Sequence, residues 1–200
     1  MSHAPRRASS LLVAIACLGG VACQLRRPNT APSRTIEPEL VDPPLAYPEK
    51  QIPKASNAAR IRLLDAEVQG NVGRRVLHKQ ADGELVEDTV WRWSCPPERY
   101  LDTALRLEVA ASPNMRLVDS GQAPALAATL LVWELESTGG SHLTGTVEFQ
   151  ITWTNRLVDT KLVRESEPVT AELPGDLATA AGRLMRRLAS KGLALVASEQ

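Results

Sequence analysis

Hydrophobic and polar positions change rhythm several times along this chain, and each rhythm predicts a different element. Leu11 to Ala22 is a run of apolar and small residues behind the basic pair Arg6-Arg7, and it ends at Cys23. A basic head, an apolar middle and small residues before a break form the pattern of a cleaved export signal, residues 1–22. The run is shorter than the ~20 residues a membrane-spanning helix needs. From residue 60 the pattern becomes that of a folded domain, residues 60–197. Ala59 to Val68 reads as a first strand. Arg74 to Gln80 and Glu84 to Trp93 flank Asp82-Gly83, the signal of a tight hairpin. A two-residue loop there would set His78 opposite Glu87 and Leu77 opposite Asp88. Neither face of this hairpin is uniformly apolar, which predicts a protruding element or a sheet edge.

Ser94 or Cys95 as cap, then Pro96-Pro97-Glu98, start a helix that runs to about Ala111. Leu101, Ala104, Leu105 and Glu108/Val109 fall at helical spacing, an apolar stripe interrupted at one position. Ser112-Pro113-Asn114 stops it, and Met115 to Val118 is a short strand. Ala125 to Glu136 is apolar enough for a strand buried on both faces. After a turn at Thr138 to Ser141, strict alternation sets Leu143, Gly145, Val147, Phe149, Ile151 and Trp153 on one dry face. Asn155-Arg156 turns the chain into a strand from Leu157 to Glu167. Gly175 to Ala197 is a second helix, with Leu177, Ala181, Leu184, Leu188 and Leu195 inward. The expected fold is a single small α/β (α+β) domain: a mostly antiparallel mixed sheet of about six to seven strands with two helices on one face.

Between signal and domain, residues 23–59 hold seven of the chain's fourteen prolines. Proline fixes φ and removes backbone donors, so this stretch is expected to be a tether with no core residue, either a passive spacer or a segment that orders on a partner. Fully extended it would reach on the order of 100 Å. Gly20-Val21-Ala22-Cys23 resembles the bacterial lipobox, which makes Cys23 the expected lipidation site; Cys17 is the competing thiol. Gln24 follows it, rather than the Asp that often holds lipoproteins at the inner membrane. The expected location is therefore the cell envelope, on the inner leaflet of the outer membrane, facing the periplasm.

Charge adds little to this picture. Lys plus Arg and Asp plus Glu both number 23, so composition gives no reason to expect nucleic acid as a partner. With Cys23 acylated, Cys95 has no intramolecular disulfide partner in the mature chain. No phosphate-binding loop or nucleophile elbow is present, and His78 and His142 are isolated. No catalytic residue, metal site or cofactor is expected, and a hydrolase stands as the least favoured alternative. Two surface features are candidates for binding. Trp91 and Trp93 share a face of one strand, as core caps or as a contact surface for a partner or lipid. Arg183, Arg186, Arg187 and Lys191 lie on the second helix, as a solvated face or as a docking site for acidic groups.

The order of elements from Arg60 to Val196 resembles the ABC-type transport auxiliary lipoprotein family, the paraquat-inducible type that accompanies MCE-domain lipid transport systems. The resemblance is carried by Val90-Trp91-Arg92-Trp93, the Pro96-Pro97 helix, Met115-Arg116-Leu117-Val118 and Leu130-Leu131-Val132-Trp133-Glu134-Leu135. It implies a non-enzymatic auxiliary lipoprotein of a lipid-transport complex. The implied partners are the membrane, through the N-terminal lipid, an MCE-domain protein, a permease and phospholipid. A regulator or assembly factor of cell-wall machinery would use a similar tether and domain, and stands as the alternative.

Overall fold

The computed structural model describes residues 34–40, 57–137, 139–154, 156–171 and 173–198. The expected signal at residues 1–22, Cys23, and the turn residues Thr138 and Asn155 lie outside the described residues. The long antiparallel ladder is the clearest consequence of sequence pattern. Strand β7 (Ala125–Glu136) pairs with β8 (His142–Trp153), and β8 with β9 (Arg156–Pro168), both antiparallel. A register shift between Leu130 and Val132 changes the phase of β7, so Leu126, Ala128 and Leu130 and then Trp133 and Leu135 point to the same side. Its other side is only partly covered, which corrects the expectation of burial on both faces: Ala127, Thr129, Leu131 and Val132 keep intermediate exposure. On β8 the dry face holds from Leu143 to Ile151 and ends there. Trp153 is 45% exposed, because the strand has run past its cover.

The other edge of β7 is lined in parallel by three short pieces. They are β2 (Ala59–Leu63), β3 (Glu67–Val68) and β4 (Arg75–Lys79). The expected single strand from Ala59 to Val68 is thus broken in two. Strand β6 (Met115–Leu117) pairs in parallel with β2, and β5 (Leu85–Trp93) is antiparallel to β4. The hairpin loop has three residues rather than two. Gly83 N donates to the Gln80 carbonyl (2.9 Å), Gln80 N to that of Glu84 (2.8 Å), and Gly83 takes φ of 88°. This is a tight turn closed by a left-handed glycine. The extra residue slips the register by one, so Leu77 faces Glu87 and His78 faces Val86.

Helices α1 (Pro97–Ala111) and α2 (Pro174–Ser198) pack on one face of this nine-stranded sheet. Of the predicted positions, Leu101, Ala104, Leu105 and Val109 on α1 and Leu177, Ala181, Leu184 and Leu188 on α2 are buried, while Glu108 and Leu195 are only partly so. Gly192 admits the Phe149 ring against α2, where a Cβ would collide with it. The domain is a single α+β fold with two helices on one face of a mixed sheet.

One element contradicts the proline-rich tether. Arg34–Ile36 forms strand β1, parallel to β5, with Arg34 opposite Trp91 and Ile36 opposite Trp93. Ile36 joins the core, Pro38 is buried and Leu40 packs against the core. Glu39 N donates to the Ala178 carbonyl (3.0 Å), and Thr179 Oγ1 donates to the Glu39 carboxylate (3.0 Å). A Cβ at Gly182 would overlap the Glu39 carbonyl, so that glycine is what lets the segment lie on α2. The gap between Pro32 and Pro38 leaves five consecutive residues with backbone donors, enough for a three-residue strand. The folded body therefore takes in residues 34–40.

Candidate functional site

The two candidate tryptophans have different fates. β5 carries a wide irregularity, since Arg75 faces Arg92 while Leu77 faces Glu87. Asp88 pins it: its Oδ1 accepts from the backbone N–H of Val90 and of Trp91, both at 2.7 Å, and its Oδ2 lies 2.9 Å from His78 Nε2. Burial alone would raise the Asp88 carboxyl, but those two N–H groups and the His78 ring hold it below its ordinary value. Beyond the irregularity Trp93 turns fully inward, with 0% exposure, and its ring meets Trp133 at 5.6 Å between centroids, tilted by 56°. It cannot be part of a contact surface. Trp91 packs on the core while keeping partial exposure, and the Arg34 guanidinium sits 5.6 Å from its ring centroid. Strand β1, which the proline content concealed, is what covers this pair.

The start of α1 is also built differently from expectation. Pro96 occupies the cap position and makes no side-chain cap hydrogen bond. The Tyr100 hydroxyl closes the turn instead, bonding to Ser94 Oγ and accepting from Cys95 N at 3.0 Å. Burial and the neighbouring Cys95 raise the Tyr100 phenol above its ordinary value, so it stays neutral here.

The four basic residues of α2 are engaged within the domain. Arg187 binds the Glu167 carboxylate and lies 3.6 Å from Glu165, and its guanidinium also donates to the Ser166 carbonyl. Lys191 binds Glu165, Arg183 lies 3.9 Å from Glu167, and Arg186 Nε donates to Glu108 at 2.9 Å. This network joins α2 to β9 and to α1. It does not present a free basic face, because Glu165 and Glu167 project from β9 on the same side as α2. Sequence reading missed their role, since two acids alternating on an edge strand look like ordinary solvated positions. Lys191 holds the Glu165 carboxyl below its ordinary value, with Arg187 adding to it.

Exposed apolar side chains occur in several places, Leu64, Val86 and Leu173 among them, and β9 carries three. Leu157 is 60% exposed, Val158 48% and Leu162 64%, beside the half-exposed Trp153. Among the described residues β9 pairs with β8 alone, so its other edge carries no strand. Also among the described residues, no cluster of His, Cys, Asp or Glu is placed to hold a metal ion, and no helix is long and apolar enough to cross a membrane.

No family model and no curated protein matches the chain. Solved structures do. A Xanthomonas campestris protein described by the family label DUF330 is 14% identical, with 80% of this chain and 89% of that chain covered and a TM-score of 0.57. A structure described as an uncharacterised protein is 12% identical, with 76% of this chain and 97% of that chain covered and the same TM-score of 0.57. At these identities the likeness shows the fold, and the α+β arrangement described above is the one this chain shares with them.

Proposed function

We propose that the protein is a lipid-anchored component of the bacterial cell envelope that acts without catalysis, as an auxiliary lipoprotein of an ABC/MCE-type lipid-transport complex. The observation that carries this reading is the joining of two things in one chain. Its first 23 residues have the order of a lipoprotein signal. Its domain spends its ion pairs on holding elements together and leaves apolar strand surface outward. A surface of that kind suits non-covalent binding of protein or lipid. In this reading Cys23 bears the lipid, the domain faces the periplasm from the outer membrane, and the partners are an MCE-domain protein, a permease and the phospholipid they move.

Two measurements test it. Metabolic labelling with an alkyne fatty acid should mark the wild-type chain and fail to mark Cys23→Ala, which should also leave the membrane fraction or remain uncleaved. Undiminished label in Cys23→Ala overturns the anchor assignment in favour of Cys17. Cross-linked recovery from native membranes should return transport-complex proteins and phospholipid. Recovery of a penicillin-binding protein in their place overturns the transport reading and supports the cell-wall alternative.

A further inference from the structure

The open edge of β9 has a self-complementary sequence, and we infer that it pairs antiparallel with the same edge of a second copy. A thirteen-residue edge strand with exposed apolar side chains is a ready template for another strand unless something blocks it. Proline stands only at its last position, Pro168, so the guards it carries are charges, among them Asp159, Lys161 and Arg164, and the irregularity at Val158. What then decides the partner is the match of side chains across the new ladder.

Two-fold pairing of identical strands leaves few registers. Opposed residues must share a face, so the dyad passes through one residue paired with itself. Dyads at Asp159, Lys161, Arg164 or Glu165 set like charges directly against each other. Dyads at Leu162 or Val163 oppose Asp159 to Glu165 or to Glu167. Within the regular ladder from Asp159 to Glu167, the dyad at Thr160 is the one that opposes no like charges. It places Val158 against Leu162 of the second copy, twice, and Asp159 against Lys161 of the second copy, twice.

These pairs also sort by face. Leu162 stands opposite Glu148 in β8, on the side away from the helices. Asp159 and Lys161 stand opposite Ile151 and Phe149, on the side of α2. Asp159 and Lys161 already approach to 3.4 Å within one strand, so the dimer would close a ring of four alternating charges. The register's one like-charge pair, Arg156 with Arg164, lies past the shift opposite Ile151 and Thr152, where the ladder of β9 is already interrupted. Closed two-fold pairing also uses up the edge, so assembly stops at two copies.

The test is a cysteine at the dyad combined with a charge swap. Residues opposed in an antiparallel ladder have Cα atoms about 4.5–5.5 Å apart, within disulfide range. In full-length protein in membranes, with Cys95→Ser to remove the described native thiol, Thr160→Cys should give on oxidation a cross-linked band containing this chain alone. Arg164→Cys should not. In the purified full-length chain, Asp159→Lys and Lys161→Asp should each weaken the dimer about tenfold by sedimentation equilibrium, and the double variant should restore it. Thermal melting of each variant separates lost pairing from lost folding. A Thr160→Cys protein that melts normally but stays monomeric overturns the inference. So does a double variant no tighter than the singles, and so does a cross-link from the introduced thiol to a different protein.

Discussion

A single position separates the two tryptophans that looked alike. Trp93 is fully enclosed, meeting Trp133 on one side and lying opposite Ile36 in β1, and neither indole N–H has an acceptor among the described residues. Packing alone therefore holds the pair. Trp93→Ala should lower unfolding free energy by about 3–5 kcal/mol, the range for a buried aromatic truncated to alanine. Trp91→Ala should cost about 1 kcal/mol, since it forfeits partial packing and the Arg34 contact. Chemical denaturation of the two variants checks both values, and equal losses would contradict the difference in burial.

At the scale of elements, β1 gives the sharpest prediction. Ile36→Ala should destabilise the domain by about 2–4 kcal/mol, measured by thermal or urea unfolding. Replacing Arg26 to Ile52 with a short flexible segment should lower the melting temperature, since that exchange removes β1 and its contacts with α2. The proline content implies instead a stretch with no core residue, and the reason it misleads is physical. Strands and helices announce themselves by period, and the alternation of Leu143 to Ile151 or the stripe of Leu101 and Leu105 is read directly. A three-residue strand has no period to detect, and its hydrogen bonds are supplied by β5, far along the chain. The hairpin register failed for a related reason: Asp82-Gly83 marks a turn but does not say whether Ala81 belongs to the loop. The ionic role of Glu165 and Glu167 was hidden because it depends on where α2 returns after the turn.

For the molecule as a whole, the carboxylates of Glu165 and Asp88 shape the response to acid. The Glu165 carboxyl is held below its ordinary value of 4.5 by Lys191, and Asp88, despite its burial, sits below its own 3.8. Folded protein thus binds fewer protons at these sites than unfolded chain, so lowering the pH favours unfolding. Their contribution should be full above about pH 5 and fall away as the pH drops below 4.5 and through the folded-state values. Glu165→Gln should make the melting temperature less dependent on pH in that window, and an unchanged slope would show that the pairing contributes nothing. The docking of residues 34–40 has a further consequence, for distance. With β1 fastened to the domain, the stretch between Arg34 and the lipid proposed for Cys23 is eleven residues long. Eleven residues span at most about 40 Å when fully drawn out, against the on the order of 100 Å that an undocked stretch to Ala59 would allow. If Cys23 bears the proposed lipid, a domain on so short a leash works beside the bilayer that anchors it, and whatever it meets must come to that surface.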